Sequence, residues 1–104
     1  MLLGKGQRVS DFADSVDSVH NYYEQLVLDC LIQHYPDEAS DPNYLADLTC
    51  VALNHLPPRY VRHNVDMTFF LSPQELAEID HKVKQAVANA VQYVHDREAE
   101  KQQA

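Results

Sequence analysis

The residues with the most chemical potential lie in one window. Between Leu48 and Val65 the chain runs 18 residues without a carboxylate, in a protein with 16 Asp+Glu against 8 Lys+Arg and a formal charge of −8. The same window holds His55, Arg59, Arg62 and His63, with Asn54, Pro57, Pro58 and Tyr60 between them. Arginine presents a planar fork of donors that matches phosphate, carboxylate or a purine edge, and a tyrosine beside it can stack or donate its hydroxyl. One reading is a site for a small anionic ligand. The other is structural: Arg59 and Arg62 pair with the abundant carboxylates, and His55 sits at a helix C-terminus, where cations are favoured. Composition leaves the two level.

Other chemistries are less well served. The six histidines, His20, His34, His55, His63, His81 and His95, are scattered. Glu78 and His81 stand three apart, like half of a di-iron carboxylate site, but a second such pair is absent, and so are H-E-x-x-H and C-x-x-C. No metal site is expected. A metal-dependent helical enzyme built on Glu78 and His81 is the weakest reading. Cys30 and Cys50 fall in apolar segments and are expected to be reduced, buried and inert. Asp37, Glu38 and Asp41 cluster as in a solvated acidic turn. Nothing assembles an acid, a base and a nucleophile, so catalysis is not expected. The only glycines are Gly4 and Gly6, which excludes a glycine-rich phosphate loop. The acidic balance argues against a nucleic-acid surface.

Helices must position these residues. Val19, Tyr22, Tyr23, Leu26, Val27, Cys30, Leu31 and His34 recur at spacings of three and four, predicting a helix from about Ser15–Ser18 to Tyr35, stopped by Pro36. Asp41 as N-cap and Pro42 behind it start a second helix, with the stripe Tyr44, Leu45, Leu48, Val51, Ala52 and Leu56. Pro57 and Pro58 end it. Residues 60–71 read as a linker with a short extended segment, too little for a sheet. Ser72 and Glu75 form a capping box around Pro73. A long helix then follows, with Leu76, Ile79, Val83, Ala86, Ala90 and Tyr93 at a 3.5 period, expected to run to about Glu98. Residues 1–18 read as an arm, either mobile or forming a short extra helix, residues 19–97 as the domain, and residues 98–104 as a polar, fraying tail. The fold expected is therefore all-α, with three main helices, the last one long. A rod of that length exceeds what a core of 104 residues needs, so a homodimer through it is expected. No run of 18 apolar residues exists and residues 1–10 offer only Leu2-Leu3 as an apolar pair, so neither a membrane span nor a signal peptide is expected, and the location expected is cytoplasmic.

The run Leu53-Asn54-His55-Leu56-Pro57-Pro58-Arg59-Tyr60-Val61, preceded by Ala52, resembles the ALN-x-LPP-[RK]-Y signature of the late competence development ComFB family. The order of elements around it is similar as well, over about residues 19–96. The resemblance implies a small, all-α, dimeric, non-enzymatic bacterial protein. It implies a receptor for cyclic di-GMP that acts on a downstream protein partner and connects to competence, pili, motility or biofilm behaviour. By the same resemblance the ligand residues are Asn54, Pro57, Pro58, Arg59 and Tyr60; Arg62 and His63 are added on charge alone. Some members carry clustered cysteines in the turn between the first two helices, suited to zinc. Residues 36–42 contain none here, so zinc is not carried over. The reading of a different class is a constitutive protein–protein interaction module without a nucleotide.

Overall fold

The computed structural model describes residues 18–103. The arm expected over residues 1–18 lies, apart from Ser18, outside the described residues. The elements run β1 (His20–Asn21), α1 (Tyr23–His34), α2 (Pro36–Ala39), α3 (Pro42–Asn54), β2 (Tyr60–Val61), α4 (Asn64–Phe70) and α5 (Pro73–Gln103). α1, α3 and α5 pack pairwise against one another and form the three main helices expected. No helix among the described residues is long and apolar enough to cross a membrane.

Local chemistry sets the helix starts. The Asp41 carboxylate accepts the amides of Asn43 at 2.9 Å and Tyr44 at 3.4 Å, with Pro42 in the first turn. The Ser72 hydroxyl accepts the Glu75 amide at 3.1 Å, and the Glu75 carboxylate accepts the Ser72 amide at 3.4 Å. Both caps agree with the sequence reading. The acidic turn after Pro36 is instead the single helical turn α2.

The core is the sum of three stripes. α1 supplies Tyr23, Val27, Cys30 and Leu31; α3 supplies Leu48 and Ala52; α5 supplies Ile79, Val83, Ala86, Val87, Ala90 and Val94. Leu56, Met67 and Leu71 close one end. Leu31, Leu48, Val27 and Val87 are fully buried, each contributing about 1.5–3 kcal/mol of hydrophobic stabilisation.

Four expectations are corrected. α1 begins at Tyr23, because residues 20 and 21 are drawn into a strand; Val19 is exposed ahead of it, and His34 is exposed at its end. Cys50 is exposed, because it lies two residues from both Leu48 and Ala52, the inward pair, and so faces away from them. Tyr93 is half-exposed, and Val94 is buried in its place. From Ala86 through Ala90 to Val94 the inward positions take two consecutive steps of four, which departs from the alternating three and four of a 3.5 period. α5 also continues past the expected end near Glu98, through Gln103, as 31 residues, roughly 46 Å at 1.5 Å each.

The linker holds a further difference. β1 and β2 pair antiparallel, His20 opposite Val61 and Asn21 opposite Tyr60. The short extended segment expected within residues 60–71 lies at Tyr60–Val61, and contrary to expectation it forms a two-stranded sheet with a partner far off in the chain. Residues 64–70, with Met67 inward, are helical.

Candidate functional site

Helix α3 ends at Asn54 and the chain turns through Leu56, Pro57 and Pro58 into β2. Leu56 is buried and anchors this corner, while Pro57, Pro58, Arg59 and Tyr60 are exposed. Arg59 is held by its backbone on both sides. Its amide donates to the Asn21 side-chain oxygen at 3.1 Å, and its carbonyl accepts the Tyr22 amide at 2.6 Å. The guanidinium, by contrast, has no hydrogen-bond or ion-pair partner among the described residues. The two ion pairs found among them lie elsewhere, Asp80 with Lys84 at 2.9 Å and Glu38 with His95 at 3.9 Å. The carboxylate pairing that the structural reading of Arg59 and Arg62 requires is thus absent among the described residues. Arg62 donates from Nε to the Ser18 hydroxyl at 3.0 Å.

The expected ligand residues are only partly brought together. Arg59 and Tyr60 are consecutive at the start of the ribbon, and Tyr60 is 68% exposed, open for stacking. Asn54 instead donates its amide to the Cys50 sulfur, 3.7 Å away and one turn earlier. His63 caps α4 by position, without a side-chain hydrogen bond. The His55 ring lies 2.8 Å from the Val51 carbonyl, and its Nδ1–H satisfies one of the last carbonyls of α3. Beside the corner lies an open groove of about 330 Å³, with His55, Leu56 and Pro57 on one wall and Lys82, Gln85 and Asn89 of α5 on the other. None of these is a carboxylate. The volume is at the lower end of what small-ligand pockets span.

Two residues of this region escape a reading by periodicity. Asn21 is 9% exposed and is the buried polar side chain among the described residues. Its oxygen accepts the Tyr23 amide at 3.2 Å as well as that of Arg59. An asparagine two residues ahead of the first helical residue is the available sequence signal, because Asx turns bond the backbone two residues on. Lys82 has no signal beyond its charge.

His20 closes the ribbon's outer side. Nδ1 lies 2.9 Å from the Ser18 carbonyl and Nε2 lies 2.6 Å from the Asn64 side-chain oxygen. With an acceptor at each ring nitrogen the imidazolium is favoured, so the pKa of His20 is raised, first by the Ser18 carbonyl, then by Asn64.

The cysteines and the Glu78–His81 pair are not drawn in. Burial pushes the Cys30 thiol above its ordinary pKa, with Asp80 adding to it, which lowers its thiolate fraction. Glu78 and His81 line a shallow depression with Gln74, Ala77 and Lys82. Among the described residues there is no group of three or more His, Cys, Asp or Glu able to hold a metal ion.

A family model described as late competence development protein ComFB matches residues 20–98. No curated protein and no solved structure matches the chain.

Proposed function

The chain belongs to the late competence development protein ComFB family, and on that premise we propose that it is a non-enzymatic receptor for cyclic di-GMP. The observation that carries the proposal is the state of Arg59: a backbone held on both sides, and a guanidinium with no partner among the described residues. A cation without a partner among the described residues, in a protein of charge −8, is available to an anion from outside. The fork engages a phosphate or a guanine O6/N7 edge, and Tyr60 stacks on a base. The groove that starts at His55, Leu56 and Pro57 adds Lys82, Gln85 and Asn89 of α5, a second charge and amide groups, although Arg59 and Tyr60 do not line it. Because a groove of this size is small for a cyclic dinucleotide, a twofold homodimer, one Arg59 per copy, suits the twofold ligand. The output is a ligand-dependent contact with a downstream protein in the cytoplasm, connecting second-messenger level to competence, pili, motility or biofilm behaviour.

The decisive experiment is titration calorimetry with cyclic di-GMP at micromolar protein. Saturable heat is expected from the wild type. A folded sample that gives none moves the assignment to the constitutive interaction module. The observation in favour of that second reading is the exposure of Val65, Phe69 and Phe70 on α4, the phenylalanines at 79% and 82%.

A further inference from the structure

We infer that Asn21 is a positioning residue for the ligand site, and that it ties the place of Arg59 to the first turn of α1. The inference rests on the reading of Arg59 as the anion contact. Three observations carry it. Asn21 is the buried polar side chain among the described residues, and desolvating an amide is unfavourable unless its hydrogen bonds are made. Its single oxygen accepts two backbone amides, that of Tyr23 two residues on at 3.2 Å and that of Arg59, 38 residues from Asn21, at 3.1 Å. The next amide along α1's entry, that of Tyr22, donates to the Arg59 carbonyl at 2.6 Å. Arg59 is consequently clamped on both sides by residues 21 and 22, while its side chain is left open.

The arrangement separates two tasks. Arg59 itself meets the anion. Asn21 touches no ligand; it sets where the arginine's Cα stands and removes backbone freedom that binding would otherwise have to freeze. Because the same oxygen caps the entry to α1, a shift of Arg59 on binding is felt first at Tyr23. Tyr23 is a core residue, so α1 is the element through which an occupied site reaches the rest of the molecule.

The test uses the full chain with Asn21→Ala, and with Asn21→Asp, which keeps an acceptor oxygen of the same reach. Amide hydrogen exchange at Arg59 is read by NMR, with amides in the middle of α5 as controls. Cyclic di-GMP affinity is read by calorimetry. In Asn21→Ala, exchange at Arg59 is expected to rise and affinity to fall by roughly tenfold, the scale of one buried amide left without its acceptor. The α5 amides keep their protection, and Asn21→Asp restores that of Arg59. Should Asn21→Ala fail to fold, Asn21→Ser takes its place with the same expectations. Unchanged exchange at Arg59 overturns the inference, and so does an unchanged affinity in a folded variant whose Arg59 amide has been freed. A wild type that shows no heat with cyclic di-GMP removes the receptor reading instead, and the exchange measurement then still decides whether Asn21 holds Arg59.

Discussion

Arg59→Ala separates a ligand contact from a structural cation. The side chain is exposed, and its guanidinium meets no acceptor among the described residues. Truncation therefore removes an exposed side chain and orphans no carboxylate among the described residues. Surface changes of this kind stay within about 0.5 kcal/mol, which for a chain of this length is roughly 2–4 °C in Tm. The backbone bonds to Asn21 and Tyr22 do not depend on the side chain and remain. Binding responds differently. Each charge-assisted hydrogen bond to a phosphate oxygen or guanine edge is worth about 1.5–3 kcal/mol, a loss of roughly 10- to 150-fold in Kd per bond. Losing both bonds of the fork takes a micromolar ligand out of calorimetric range. Arg59→Lys retains charge without the fork, so its affinity falls between the two. The assay pairs thermal denaturation followed by circular dichroism with titration calorimetry on the same samples. An Arg59→Ala protein that binds cyclic di-GMP as the wild type does refutes the reasoning. So does one whose Tm falls by more than about 8 °C, the scale of a full 1 kcal/mol, since that would make Arg59 a structural residue.

Three further outcomes are expected. Leu48→Ala opens the middle of the three-helix core, where Leu48 is 0% exposed, and should cost about 2–5 kcal/mol in urea denaturation; a loss below 1 kcal/mol, about the value of a surface change, would contradict the placement of α3. Ser72→Ala removes one half of the α5 capping box and should cost about 1 kcal/mol, seen as a lower Tm with cyclic di-GMP affinity unchanged. His20 should titrate above its ordinary 6.5 in NMR. Because the folded-state pKa is the raised one, its contribution to stability is full below that ordinary value and is lost as pH rises through the higher folded value; His20→Gln should flatten the stability profile across that window, and an unaltered profile would count against the Ser18–His20–Asn64 contacts.

What the sequence disclosed was what depends on near neighbours. Asp41-Pro42 and Ser72-Pro73-Gln74-Glu75 carry their helix starts within four residues, and both are found as read. The inward stripes failed where residue type was weighed ahead of angle. Cys50 is a cysteine on an outward face, and Tyr93 stands at a 3.5-period position that the burial pattern of α5 passes over for Val94. The remainder was hidden because its partners lie far off in sequence. Tyr60 and Val61 have no visible reason to be a strand until His20 and Asn21 arrive beside them. Asn21 has no periodicity to betray that its oxygen serves Arg59. The candidate site shows the same division: the acid-free window and the signature mark its place, whereas the lack of a partner for the Arg59 guanidinium among the described residues and the turning of Asn54 toward Cys50 follow only from the assembled chain.

The contrast between the two free cysteines, one in the core and one at the surface, turns the molecule into its own stopwatch. A maleimide added to the native protein alkylates Cys50 directly. Cys30, at 9% exposure, reacts more slowly, at a rate that rises whenever α1 moves away from α5, and its raised pKa slows it further. Mass spectrometry distinguishes one added label from two, so the rate of the second addition reports how often the core opens, without any substitution. A nucleotide that binds only the closed form slows the opening-dependent part of that labelling as the unoccupied fraction falls. Breathing of the core and filling of the site can then be followed in a single reaction tube.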